Sequence, residues 1–253
     1  MSNKNQNVNY VEGKTLLTQK LSFAATEAYK LLRTNLMFTL PDEQKCRIVG
    51  ITSSARGEGK STTAINLSYT LAETGKKVLL LDTDLRLPSI AKKLEIKSAP
   101  GLTNVLAGTV DISSAICKSE QFKNWDILPS GDVPPNPTEL LGSSQMKTLM
   151  EKFADNYDFI IVDLPPVNIV SDALIVSPLL DGMVIVVREN FAEHRELKNC
   201  KRLLGMSNVN VLGFVINMAA EDKSSYGKYK RQRYYRKYYK SYGYYSSSSQ
   251  DKK

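Results

Sequence analysis

Gly57-Glu58-Gly59-Lys60-Ser61-Thr62 is a run of residue types suited to gripping a polyphosphate. Glycine lets a backbone take positive φ and bring its N–H groups against phosphate oxygens. Lys60 adds a point charge for the β/γ-phosphates, and the Ser61 hydroxyl is a ligand for Mg²⁺. Three carboxylates could complete the site: Asp82 and Asp84 in Leu79-Leu-Leu-Asp82-Thr-Asp84, and Asp163 in Phe159-Ile-Ile-Val-Asp163. Together they supply what phosphoryl transfer asks of a protein: positioning, charge neutralisation and an acceptor for the attacking hydroxyl's proton.

These groups need elements to carry them. Ile48, Val49 and Ile51 read as a strand that ends in the Gly-rich turn, and Ser61–Glu73 as a helix stopped by Gly75. The helix N-terminus adds its dipole at the phosphates. One position departs from the G-x-x-x-x-G-K-[ST] pattern: Ser54 stands where a glycine is usual. Lys77–Asp84 and Asp158–Asp163 are apolar throughout before their acids, as strands buried on both faces of a parallel sheet are. Their acidic ends fall where α/β sheets bind ligands, and Asp163 takes the place of an acid that orients water on Mg²⁺. Ile127–Ser130, Gly182–Val187 and Asn210–Asn217 read as further strands, with a helix over Glu193–Leu204. Gly131–Leu141 is a stiff, proline-set loop, with Thr138 expected to cap the next helix. Leu21–Phe38 has helical spacing in Ala28, Leu31, Leu32, Asn35 and Leu36. Some six strands alternating with helices predict a doubly wound parallel sheet of the P-loop NTPase type, helices on both faces.

Composition narrows the chemistry. His194 is the only histidine, which excludes a His-based triad or a multi-histidine metal site. Cys46, Cys117 and Cys200 lack metal-ligand spacing and fit core thiols in a reducing compartment. No signal peptide or membrane span is expected. The net charge of +8 is unevenly placed. From Glu221 to Lys253, ten Lys/Arg face three Asp/Glu, a net +7, while residues 1–220 hold 24 against 23. That last segment has no Leu, Ile, Val, Met, Phe or Trp and cannot build a core. It carries nine tyrosines instead: Tyr226, Tyr229, Tyr234, Tyr235, Tyr238, Tyr239, Tyr242, Tyr244 and Tyr245. The expected organisation is a mobile arm over 1–20, a P-loop domain over 21–220 and a disordered basic tail over 221–253.

The motifs resemble those of the bacterial tyrosine kinases (BY-kinases), the cytoplasmic autokinases of capsule and exopolysaccharide synthesis. The resemblance rests on Ser-Ser-Ala-Arg-Gly-Glu-Gly-Lys-Ser-Thr, Leu-Leu-Leu-Asp-Thr-Asp-Leu-Arg-Leu-Pro, Ile-Ile-Val-Asp-Leu-Pro-Pro, Pro-Pro-Asn-Pro-Thr-Glu-Leu-Leu and the tyrosine cluster. It implies ATP and Mg²⁺ as cofactors, and Lys60, Asp82, Asp84 and Asp163 as the catalytic set, with Asp82 as base beside the incoming tyrosine. Ser61, Asp84 and Asp163 would hold the metal. Ser54, Gly57, Glu58, Gly59, Lys60, Ser61, Thr62 and Asn217 would line the nucleotide. The tail tyrosines would be the acceptors. Glu27, Lys30 and Arg33 match a helix that docks onto a neighbouring subunit in a ring, with Lys30 where the family has arginine. A transmembrane adaptor of the polysaccharide co-polymerase type and a cognate tyrosine phosphatase are the implied partners, which would place the chain in the cytoplasm, peripherally at the membrane.

Two other readings compete. Deviant-Walker-A ATPases that position cell structures or partition DNA share the motifs, but they carry a signature lysine where this chain has Ala55. A basic, tyrosine-rich tail could also bind nucleic acid through phosphate contacts and base stacking. For the kinase, each added phosphate carries roughly −1.5 to −2 charges. Phosphorylation is therefore expected to push the tail away from its neighbours' acidic sites and to dissolve the ring.

Overall fold

The computed structural model describes residues 10–11, 21–40, 45–119 and 123–219. The chain divides into two compact units, Met1–Asn217 and Met218–Lys253, and the following concerns the first. The tyrosines of the tail, most of the expected N-terminal arm and the ends of both lie outside the described residues.

Eight strands form one sheet: β1 (Tyr10–Val11), β2 (Arg47–Ser53), β3 (Val78–Asp82), β4 (Cys117–Ser119), β5 (Trp125–Leu128), β6 (Phe159–Asp163), β7 (Gly182–Arg188) and β8 (Val211–Asn217). Their order is β1-β4-β5-β3-β6-β2-β7-β8. Every pairing is parallel except β4 with β5. The expected doubly wound parallel sheet is therefore present, with two strands beyond those expected. β4 is three residues long and carries too little pattern to be read from sequence. β1 falls within the segment expected as an arm, and pairs Tyr10 with Lys118 and Val11 with Ser119. An uncovered strand edge such as β4 offers unpaired N–H and C=O groups to such a segment.

The strands alternate their apolar residues between two cores, as period-two geometry requires. Val78, Leu80, Phe159, Ile161, Val184 and Val186 join one cluster, with α1 (Phe23–Thr39) and α2 (Lys60–Ala72) packed on it. Leu79, Leu81, Ile160, Val162, Met183 and Ile185 join the other. That second face is covered by elements including α7 (Ser144–Ala154), α8 (Asp172–Val176) and α9 (His194–Met206). Between β3 and α7 lie the short helices α3 (Ile90–Leu94), α4 (Leu102–Leu106), α5 (Ile112–Ala115) and α6 (Pro137–Leu141). Cys117 and Cys200 are buried thiols, both held up at about 11 by desolvation. Among the described residues no helix is long and apolar enough to cross a membrane.

Two local expectations are corrected. Thr138 does not cap α6. Asn136 occupies the N-cap and Pro137 the first turn, where its missing N–H costs nothing. The apolar face of α1 also differs. Leu36 and Leu40 are buried and Leu32 packs against the core, but Ala28, Leu31 and Asn35 face solvent with Ala24 and Phe38. Spacing alone could not say which of two mixed faces the sheet side would take.

Candidate functional site

The phosphate-binding turn joins β2, an interior strand between β6 and β7, to α2. Gly57 and Gly59 hold φ of 81° and 94°, where side chains are strained. At Gly59 a Cβ would also meet the Asn217 side-chain amide. That amide donates to the Glu58 carbonyl at 2.9 Å and ties the end of β8 to the turn. Ser54 is absent from the non-glycine residues with positive φ, so this turn does not need glycine there. Its hydroxyl donates to Glu58 Oε2 at 3.1 Å, and the Ala55 N–H donates to the same oxygen at 2.7 Å. Glu58 and Ser54 are both buried and brace the turn from within. Asn217, Ser54 and Glu58 thus shape the loop through bonds to the chain itself.

Lys60 opens α2 and lies between two strand ends. Its Nζ is 2.8 Å from Asp84 Oδ2 and 3.5 Å from Asp163 Oδ1, and it donates to Ser61 Oγ at 3.3 Å. Burial opposes its charge, but Asp163 and Asp84 prevail and its pKa is raised. Burial raises Asp163, with Lys60 acting against the rise. Asp82 is raised well above the usual carboxylate range, first by burial and then by Asp163. Three acids thus gather around one lysine in a largely buried setting, where desolvation and neighbouring charges act strongly on each.

The acids differ in access. Asp84 lines a cavity of about 260 Å³ with Gly57, Gly59, Lys60, Ser61 and Thr62. Asp82, expected beside the incoming tyrosine, lies behind that wall and is fully buried. Its Oδ1 accepts from the Asp84 N–H at 3.2 Å and its Oδ2 from the Ile90 N–H at 3.3 Å. Asp163 Oδ2 is buried with no hydrogen-bond partner among the described residues. An orphaned carboxylate oxygen beside a serine hydroxyl is a seat a Mg²⁺ ion would satisfy.

The rest of the cavity lining went unread in the sequence. Pro165, Pro166, Leu87, Ile169 and Val170 make an apolar wall, and Arg56, Arg86 and Lys93 bring three cations to it. Arg86 is held in place. Its Nε donates to Asp172 Oδ2 at 2.7 Å, and its Nη2 donates to Asp172 Oδ1 at 3.2 Å and to Thr138 Oγ1 at 2.8 Å. Thr138 in turn donates to Asp172 Oδ1 at 2.7 Å. Arg86 follows Asp84 by two residues, which was a visible signal, but nothing near Asp172 in the sequence marks it as a partner.

Glu27, Lys30 and Arg33 lie on α1, away from these residues in sequence and fold. Lys30 pairs with Glu27 at 2.9 Å, and Arg33 Nη1 donates to the Thr70 carbonyl of α2 at 2.6 Å.

A glycine turn that leads from an interior strand of a parallel sheet into a helix, with the nearby strands β3 and β6 ending in acids, defines a P-loop nucleotide-binding protein. Residues 46–211 match the family described as AAA domain. Tyrosine-protein kinase YwqD of Bacillus subtilis is 40% identical over 205 residues, spanning 81% of this chain and 86% of that one. The chimerical protein CapA2B2 superposes with a TM-score of 0.76 at 33% identity, covering 85% of this chain and 94% of its own. The kinase domain of the Escherichia coli tyrosine kinase ETK does so at 0.72 and 28% identity, covering 85% and 92%. The chain belongs to the bacterial tyrosine-protein kinases and is an ATP-using protein-tyrosine kinase.

Proposed function

We propose that this kinase transfers the γ-phosphoryl group of ATP to its own C-terminal tyrosines, between neighbouring copies in a homo-oligomer, and so regulates capsule or exopolysaccharide synthesis. The observation that carries this reading is Lys60 paired with Asp84 and Asp163 beside a cavity that Lys60, Ser61 and Asp84 line. The acceptor tyrosine's oxygen forms a bond to the γ-phosphorus as the bond to the β-bridging oxygen breaks, and ADP leaves. Lys60 meets the β/γ-oxygens and exchanges its carboxylate partners for them. The phenolic proton goes to Asp82, whose hold on a proton is strengthened by burial and by Asp163. Its weak bond from Ile90 marks the turn over residues 83–89 as the part that must shift to give access.

Ser61 Oγ, Asp163 and Asp84 would hold Mg²⁺. Bound there, the ion would neutralise charge on the β- and γ-oxygens. Among the described residues no three His, Cys, Asp or Glu side chains form a metal cage by themselves.

Assembly is supported by the solvent-facing stripe of α1. Leu31 and Phe38 are 45% and 84% exposed on the same helix face as Ala24, Ala28 and Asn35. Since Arg33 is engaged within its own chain, the docking surface in this reading is the stripe, with the Glu27–Lys30 pair beside it. An adaptor in the membrane, peripheral attachment through it and an opposing phosphatase belong to the same proposal and rest on the motif resemblance.

The test mixes two full-length variants in Mg-ATP. Lys60→Met supplies acceptor tails without transfer, and a variant with all nine tail tyrosines changed to Phe supplies transfer without acceptors. Phosphotyrosine on the Lys60→Met chain, mapped to 226–245 by mass spectrometry, is the expected result. Its absence would overturn transfer between copies.

A further inference from the structure

We propose that the apolar, cation-rich part of this cavity's lining is a phosphotyrosine-binding rim, which holds an already phosphorylated tyrosine beside the one being modified. It rests on the tail being the substrate and adds what retains it there. The enzyme would then work through clustered tyrosines in succession.

The chemistry of the lining points this way. Leu87 and Ile169 are about half exposed and stand with Pro166 and Val170 as an open apolar wall. Such a wall suits an aromatic ring. Its three cations exceed the needs of a neutral phenol. Arg56 and Lys93 make no ion pair among the described residues, and Arg86 is fixed by Asp172 and Thr138. Three of the five guanidinium N–H donors are used there, which leaves the two on Nη1 without a partner among the described residues. A guanidinium held in one orientation is a reader of phosphate.

The sign of the field at this mouth also matters. Asp82 and Asp163 are fully buried and Asp84, which lines the cavity, is paired with Lys60, so the charges of the lining left without an ion pair among the described residues are Arg56 and Lys93. Such a rim would act opposite to the expected charge switch, in which the basic tail is attracted and a phosphorylated one repelled. An unmodified tail at +7 is held off by such a mouth, and one that has gained a phosphate dianion is drawn to it. Tyr234-Tyr235, Tyr238-Tyr239 and Tyr244-Tyr245 are adjacent pairs. A phosphotyrosine up to four residues from the acceptor lies within about 14 Å of it along the chain. The first phosphate therefore favours the next.

The experiment uses the full-length protein with ADP and peptides spanning residues 232–240, in which Tyr235 is the only acceptor. Position 234 is Phe, phosphotyrosine or phosphoserine, and Tyr238 and Tyr239 are replaced by Phe. Fluorescence anisotropy reads affinity, and transfer from ATP reads kcat/KM. The phosphotyrosine peptide should bind about tenfold more tightly than the Phe peptide and gain a similar factor in kcat/KM through KM. The phosphoserine peptide should lie nearer the Phe peptide. Lys93→Ala should remove most of the difference and Lys93→Arg should restore it. Equal affinities of the phosphotyrosine and Phe peptides, an advantage untouched by Lys93→Ala, or phosphoserine binding as well as phosphotyrosine would each overturn the assignment. Affinity is read without transfer. A Phe peptide that is bound but never phosphorylated would therefore count against the tail as substrate, while the affinities still decide the rim.

Discussion

Asp82 and Asp163 are direct partners across the β3–β6 ladder, one register pair at the ends of two adjacent parallel strands. Paired residues present their side chains to the same face, so two fully buried carboxylates become neighbours by the register alone. Lys60 is the counter-charge that makes this arrangement tolerable, and each acid binds a proton more tightly than an ordinary aspartate.

The first prediction concerns pH. A carboxylate whose pKa rises on folding contributes stability that is fully present below its unfolded value, near 3.8. That contribution is lost as the pH climbs through the raised value. The protein without nucleotide should therefore melt lower at pH 8 than at pH 5.5. Asp82→Asn should flatten this dependence and raise the melting point at pH 8 by about 2–4 °C. Thermal melts across that range decide it, and a profile identical to the parent's would refute it.

The same variant separates two catalytic roles. Asp82→Asn should lose tyrosine transfer by two orders of magnitude or more, roughly the scale of a lost general base, while ATP still binds. If Asp84→Asn alone shows that pattern and Asp82→Asn does not, the base is Asp84, the acid that lines the cavity.

Lys60→Met should abolish transfer, and it should also weaken the fold. It leaves three buried acids without their cation, at a cost of about 2–4 kcal/mol near neutral pH. The loss should shrink at pH 5 as Asp82 and Asp163, both raised, take up protons. Denaturant melts at both pH values check this; an equal loss at both would show that the acids are not what Lys60 stabilises.

Asp172 accepts bonds from Arg86 and Thr138 and is fully buried. Asp172→Ala should lower stability by about 1–3 kcal/mol through the unsatisfied groups it leaves. Thr138→Val, which removes one of those donors, should cost less than half as much. A Thr138→Val loss equal to that of Asp172→Ala would mean the cluster is not organised on the aspartate.

Replacing Leu31 and Phe38 together by Asp should turn an oligomer into a monomer in light scattering, with a melting change under about 1 kcal/mol for exposed sites. An unchanged mass would remove the α1 stripe from assembly.

Much of this protein was written locally. Lys60-Ser61 after two glycines, and apolar strands ending in Asp82 and Asp163, each specify an element and its chemistry within a dozen residues. Their shared location follows from one rule, that ligands sit at the carboxyl ends of parallel strands. Even Ser54 proved compatible once its φ was known, because glycine is demanded by backbone angle and not by motif.

Tertiary structure decided what depends on contacts far apart in the chain. Which acid faces the cavity follows from the turn after β3, where N–H groups of Asp84 and Ile90 draw Asp82 inward. That Thr138 serves Arg86 and not a helix cap, and that Asp172 holds both, needed residues 86, 138 and 172 in one place. Likewise the outward turn of Leu31 and Phe38 was set by which side of α1 met the sheet. Periodicity names a face, but only packing against the rest of the chain says whether that face is the core or is left open to solvent.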